Sequence, residues 1–94
     1  MSIKSFKCKD TEALFLGKRV RSRWINVERL ALRKLEQLDW SAVLDDLRVP
    51  PGNHLEALKG NRRGQHSIRI NDQWRVCFVW TVDGPKDVEI VDYH

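Results

Sequence analysis

Two runs of alternating apolar and polar residues meet at Asn71-Asp72-Gln73, and they form one hairpin if those three residues make the turn. Ile70 then lies across from Trp74, Arg69 from Arg75, Ile68 from Val76 and Ser67 from Cys77. One face carries Ile68, Ile70, Trp74, Val76, Phe78 and Trp80, with His66. The other carries Gln65, Ser67, Arg69, Arg75, Cys77 and Val79. Side chains alternate along a strand, so a slip of one residue would turn every apolar group of a strand to water. This register therefore predicts an antiparallel sheet with one face on the core and the other exposed.

The remaining elements arrange themselves around that hairpin. Ile3-Lys4-Ser5-Phe6 alternates and reads as a short first strand. Asp10-Thr11-Glu12 reads as a helix start, with Asp10 as the capping side chain and Glu12 in the first turn; that helix ends near Gly17. Over residues 26–39, Val27, Leu30, Ala31, Leu35 and Leu38 recur at spacings of three and four, with Glu28, Arg29, Arg33, Lys34 and Glu36 opposite them. Asn26 is the expected N-cap. A further helical turn over residues 41–47 ends at Pro50-Pro51-Gly52-Asn53. Residues 54–58 alternate as a strand, Gly60-Asn61-Arg62-Arg63-Gly64 is a basic turn, Asp83-Gly84-Pro85 a second turn, and residues 87–93 a final strand. Strands joined by such short connections are antiparallel. The expectation is an α+β fold, two N-terminal helices packed on one antiparallel sheet, with residues 1–94 forming a single domain.

Composition removes several classes. The longest uninterrupted apolar run is five residues, Val76-Cys77-Phe78-Val79-Trp80, far short of the roughly 20 that a membrane helix needs. Met1-Ser2-Ile3-Lys4 opens onto alternating charge and not onto a signal peptide, so a cytoplasmic protein is expected. Cys8 and Cys77 lack metal-ligand spacing and read as reduced thiols. The three histidines are dispersed: His66 falls on the core face as a packing residue, and His54 follows the proline loop. No phosphate-binding glycine loop, nucleophile elbow or zinc-finger spacing occurs, and neither metal nor cofactor is expected.

The net charge of +4 conceals a strong alternation: residues 1–36 and 59–75 carry +6 and +4, whereas residues 37–58 and 76–94 carry −3 each. Two basic stretches favour a nucleic acid, an anionic lipid or an acidic protein, and a solvated helix with a basic loop accounts for them equally well. The hairpin register sets Arg69 directly across from Arg75, a like-charge pair that costs stability unless an anion lies between the two or acidic residues from the helices pair with them. At the C-terminus, Asp92-Tyr93-His94 brings an acid, a phenol and an imidazole together. That is general acid–base equipment, or a frayed end.

Three segments carry a resemblance to a known family: Leu55-Glu56-Ala57-Leu58-Lys59-Gly60-Asn61-Arg62, then the stretch from Ser67-Ile68-Arg69-Ile70 through Trp74-Arg75-Val76-Cys77-Phe78, and the terminal Asp92-Tyr93-His94. They resemble HigB-type toxins of the RelE/ParE superfamily, from bacterial type II toxin–antitoxin systems, and the likeness extends over essentially the whole chain. The resemblance implies a ribosome-dependent endoribonuclease that cleaves mRNA in the decoding site and stops translation. It also implies a HigA-type helix-turn-helix antitoxin, through which the pair reaches operator DNA, and no membrane partner. The family's functional positions match at Lys59, Arg75, Asp92, Tyr93 and His94, with Arg69 in the matching strand. One departure stands out: some HigB toxins have a histidine where this chain has Glu56, and His54 lies two positions away.

The chemistry implied is attack by an RNA 2′-hydroxyl on the adjacent phosphate, without a metal. It needs a base, a cationic cradle for the charged transition state and an acid for the leaving 5′-oxygen. Arg75 and Lys59 would stabilise the phosphate charge, His94 would exchange protons as acid or base, Asp92 would tune it and Tyr93 would orient the substrate or share proton transfer. Lys18, Arg19, Arg21, Arg23, Arg62, Arg63 and Arg69 would supply salt-sensitive contacts to RNA. The alternatives are a ParE-like inhibitor of DNA gyrase, which needs no acid–base set, and a non-catalytic basic RNA- or protein-binding module.

Overall fold

In the computed structural model, which describes residues 2–92, helix α1 spans Lys9–Phe15 and helix α2 spans Glu28–Trp40. Four strands follow, β1 (Glu56–Ala57), β2 (His66–Arg69), β3 (Trp74–Thr81) and β4 (Gly84–Asp92), in the sheet order β1-β2-β3-β4. Every neighbouring pair is antiparallel. The hairpin register matches the expectation: Arg69 faces Arg75, Ile68 faces Val76 and Ser67 faces Cys77, while the Ile70 N–H donates to the Trp74 carbonyl at 2.9 Å. Asn71 makes the turn, its side-chain oxygen accepting the N–H groups of Gln73 and Trp74 at 2.9 and 2.8 Å.

Both helices lie on the apolar face. Leu14, Trp24, Ala31, Leu35 and Leu38 form one cluster with Ile68, Val76, Phe78, Val88 and Ile90. His66 stacks on Phe78 with ring centroids 6.3 Å apart, the packing role expected of it, and Trp80 is half-buried at the margin. Leu30, expected in the apolar stripe, is exposed, because the contact stripe runs through Ala31, Leu35 and Leu38 and leaves Leu30 about 100° to one side.

The helix starts differ from expectation. α1 begins at Lys9 with Cys8 as N-cap, and Asp10 lies inside the first turn. Thr11 is fully buried and its hydroxyl accepts the Ile90 N–H of β4 at 3.1 Å, so this segment is positioned by the sheet and not by its own cap. α1 ends as expected: Gly17, at φ +79°, lets the N–H groups of Gly17 and Lys18 reach the carbonyls of Leu14 and Ala13 at 3.1 and 2.9 Å. Before α2, Asn26 falls within a 3-10 turn over Ile25–Val27, and Val27 takes the N-cap position.

At the sheet edges the strand expectations shorten or shift. Residues 3–6 do not form a regular strand. They run parallel to β4 through a single bridge, Phe6 to Val88, because Asp87 bulges at φ +52° and gives its N–H to the Ser5 hydroxyl. β1 is two residues long. β4 begins at Gly84, three residues earlier than expected, because Thr81 pairs with Gly84 and Trp80 with Pro85, which leaves Val82-Asp83 as the turn. The other β2–β3 face is also less open than the alternation implies: Ser67 and Cys77 are fully buried.

Candidate active site

The sheet face turned away from the helices is polar and built from several strands. Register places Glu56, Ser67, Arg69, Arg75, Cys77 and Glu89 on it. Arg75 is the most constrained of these side chains. Its Nε–H donates to the Ser67 hydroxyl at 2.7 Å, one terminal nitrogen donates to the His54 carbonyl at 2.6 Å, and Glu56 stands 3.9 Å away. The His54 carbonyl is in place because His54 adopts a left-handed conformation, φ 46° and ψ 55°, at the end of the 3-10 turn Pro51–Asn53. A guanidinium fork held by a hydroxyl and a carbonyl keeps its charge and its orientation, the preorganisation that binding a developing anion requires.

Arg69 lies across from Arg75 and is paired with Asp72 of the turn. The like-charge pair is thus relieved by Asp72 at Arg69 and by the His54 carbonyl and Glu56 at Arg75. His54, Arg69, Asn71, Asp72 and Arg75 together line an open cleft of about 430 Å³.

Asp92 lies at the same end of the sheet but on the other face. It pairs with Trp74 in the register, while Arg75 pairs with Val91. Its Oδ2 accepts from Arg23 at 3.0 Å and from Gln73 at 3.2 Å, and the Arg23 guanidinium sits 5.6 Å from the Trp74 ring centroid. Arg23, itself exposed, is thereby held beside Asp92, and Lys18, Arg19 and Arg21 of the same connection are exposed as well. Tyr93 and His94 lie outside the described residues.

The remaining basic residues separate into two kinds. Lys59 and Arg63 flank the 3-10 turn Gly60–Arg62 and are exposed. Arg62 folds back onto the sheet, donating to Glu89 at 2.9 Å and to Gln65 at 3.1 Å, and so ties this turn to β4. Lys59 follows the Leu58 N–H bond to the Gln65 carbonyl, beyond one end of β2, whereas Arg75 faces Arg69 at the other. About 10 Å of strand, three steps of 3.3 Å, separates those two ends.

Two elements of this site escape sequence reading. Ser67 is legible as a residue of the polar face but not as the Arg75 anchor. Asn53 is fully buried, and its amide donates to Gln37 at 3.0 Å and to the Leu47 carbonyl at 3.1 Å, while its oxygen accepts from Lys34. Burial lowers the Lys34 pKa. Asn53 thus fixes the loop on which the His54 carbonyl rides.

Burial pushes the Cys77 thiol up from 9.0 to about 11, with the neighbouring charges of Arg62 and Arg75 opposing those of Glu89 and Glu56. The thiol is therefore protonated and inert at neutral pH. A thiol-alkylating reagent is expected to modify half-buried Cys8 well before Cys77 in the native protein. Because the folded protein holds this proton more tightly than the unfolded chain, the contribution of Cys77 to stability is full below about pH 9 and is lost as pH rises toward about 11. Denaturant titrations across that range, with Cys77→Ser as the control, read the effect; an equal pH slope in the control contradicts it.

Comparison with known proteins places this architecture. A family model described as a RelE-like toxin of the type II toxin–antitoxin system HigB matches residues 4–94. Toxin HigB-1 of Vibrio cholerae serotype O1 is 49% identical over 69 residues, covering 73% of this chain and 72% of that protein. An uncharacterised protein of Haemophilus influenzae is 40% identical over 53 residues, covering 56% of this chain and 52% of that one. Among the described residues no helix is long and apolar enough to cross a membrane. A two-helix, four-stranded antiparallel α+β fold and a family match over nearly its whole length agree: the chain belongs to the HigB-like toxins, the RelE-like toxins of type II toxin–antitoxin systems.

Proposed function

We propose that this toxin is a ribosome-dependent endoribonuclease that cuts mRNA in the decoding site, with residues 1–94 acting as one domain in the cytoplasm. The observation that carries the reading is the Arg75 fork, held by Ser67 and the His54 carbonyl at the mouth of an arginine-bearing cleft. In the proposed reaction the 2′-hydroxyl oxygen bonds to the adjacent phosphorus and the bond from phosphorus to the 5′-oxygen breaks. The hydroxyl proton passes to a base, and the leaving oxygen gains one from an acid. The products are a 2′,3′-cyclic phosphate and a 5′-hydroxyl. The nucleophile is supplied by the substrate, so the step needs no metal-bound water.

Arg75 stabilises the charge on the reacting phosphate. Lys59, a strand's length away, suits a neighbouring phosphate of the same message. His94 exchanges protons, Tyr93 orients the substrate or shares the proton transfer, and Asp92, with Arg23 beside it, tunes the histidine. Lys18, Arg19, Arg21, Arg63 and Arg69 provide salt-sensitive RNA contacts. So few groups are weak catalysts of a flexible message, and a ribosome that presents the mRNA in a bent conformation supplies the missing orientation. The partner that silences the toxin is a HigA-type helix-turn-helix antitoxin, through which the pair reaches its operator.

Primer extension on an abundant message after induction of the toxin tests this reading. Cuts within translated codons, absent from the untranslated part of the same transcript, are expected. Growth arrest with intact messages and accumulating DNA breaks would instead identify a gyrase inhibitor, and intact messages without DNA breaks a non-catalytic binding module.

A further inference from the structure

The C-terminal end of α2 carries a surface unrelated to the arginine cleft. Trp40, the last residue of α2, is 82% exposed, and Val43 and Val49 beside the following turn are 56% and 69% exposed. Trp40 borders a groove of about 500 Å³ that also runs along Arg33, Glu36, Gln37, Ser41 and Asp46. This shoulder is stiff: the Ser41 hydroxyl donates to the Gln37 carbonyl at 2.8 Å, and the Asp46 carboxylate accepts the N–H groups of Ala42 and Val43 at 2.8 and 3.2 Å. It is also net acidic: Glu36 and Asp46 line the groove against Arg33 alone, and the nearby Arg48 is paired with Asp45 at 3.0 Å.

A large apolar side chain held in water by an ordered turn is a binding surface, and its charge selects among occupants. RNA is disfavoured, since its phosphates would meet carboxylates. A second copy of this chain is disfavoured too, because a two-fold contact would bring Glu36 and Asp46 of both copies together with Arg33 alone to offset them. What fits is a protein that seats apolar side chains against Trp40 and surrounds them with Lys or Arg. The protein partner that a type II toxin–antitoxin system supplies is the antitoxin. We infer that the antitoxin docks on this acidic Trp40 shoulder, through an apolar anchor with a basic rim. The inference rests on family membership and not on the proposed cleavage reaction.

The test uses the full-length toxin co-expressed with its cognate antitoxin. Trp40→Lys is expected to arrest growth as wild type does when expressed alone, and to escape rescue by the antitoxin. The purified pair is expected to lose affinity by about 100-fold. Glu36→Lys, at the rim, is expected to slow association by up to about 10-fold at low salt and to change little at high salt. Should Trp40→Lys accumulate poorly, Val49→Lys carries the same test. Full rescue with unchanged affinity overturns the inference. So does a folded Trp40→Lys protein that no longer arrests growth alone, which would make the shoulder part of the toxic surface. A wild-type homodimer that Trp40→Lys dissociates would assign the shoulder to a second copy and overturn it equally. Growth arrest is read whatever its molecular cause, so failure here is distinct from failure of the nuclease reading.

Discussion

Arg75→Ala is expected to lower mRNA cleavage by about 100- to 1,000-fold, the usual loss when one preorganised donor to a developing anion is removed. The fold is expected to survive, because the substitution removes the bonds to the Ser67 hydroxyl and the His54 carbonyl and the longer contacts to the Ser67 carbonyl and Glu56, at a cost of about 1–3 kcal/mol. Arg75→Lys separates charge from geometry. A lysine keeps the positive charge but has one nitrogen where the fork has three, and it cannot hold Ser67 and the His54 carbonyl while facing a phosphate. Its activity is expected between wild type and alanine, with the greater part of the loss in kcat. Cleavage of a ribosome-bound message, together with a thermal melt, reads both quantities. Full toxicity of a folded Arg75→Ala protein would remove Arg75 from the mechanism. His94→Ala is expected to abolish cleavage in the same way, since His94 is the principal proton-exchanging group of the proposed set.

The second large effect belongs to a residue that touches no substrate. Asn53→Ala removes the fully buried amide that Gln37, Leu47 and Lys34 share, and leaves the buried Leu47 carbonyl and the half-buried Gln37 oxygen short of a donor. The expected cost is about 2–3 kcal/mol, a fall in Tm of roughly 10–20 °C for a domain of this size. Asn53→Asp is the sharper variant: it can still accept from Lys34 but cannot donate to Gln37 or to Leu47, so it is expected to destabilise as well. Because the His54 carbonyl follows Asn53 directly in the chain, both variants are also expected to loosen Arg75 and to lower cleavage at temperatures where the protein remains folded. Calorimetry paired with cleavage assays at 20 °C checks this; a loss below 0.5 kcal/mol for Asn53→Ala would contradict the role given to the hub.

How much of this was legible in the residues themselves follows from the kind of signal each part carries. The β2–β3 hairpin was legible to the residue, because a period of two and a three-residue turn leave one register in which Ile68, Val76 and Phe78 share a face. The stripe of α2 was legible for the same reason at a period of 3.6. Helix starts were not: Asp10 and Asn26 have the right side chains for caps, but Thr11 and Trp24 are taken by the core, and that contact moves each start by one or two residues. The edges were not legible either, since a bulge at Asp87 and the shortness of β1 depend on what lies alongside them. For the site, the basic face could be seen in advance, whereas the anchoring of Arg75 could not. It requires a buried serine, a left-handed histidine and a buried asparagine that come together only through non-local folding. Arg62 illustrates the converse: its charge resembles that of Arg63 in the sequence, yet Glu89 holds it against β4.

The most direct measurement is made on purified ribosomes programmed with a defined message and incubated with the wild-type toxin. The account predicts cleavage within the codon held in the decoding site, an upstream fragment ending in a 2′,3′-cyclic phosphate, a downstream fragment beginning with a 5′-hydroxyl, and almost no cutting of the same RNA free in solution. An intact message at toxin concentrations that stop translation, or equal cutting of free and ribosome-bound RNA, would contradict it.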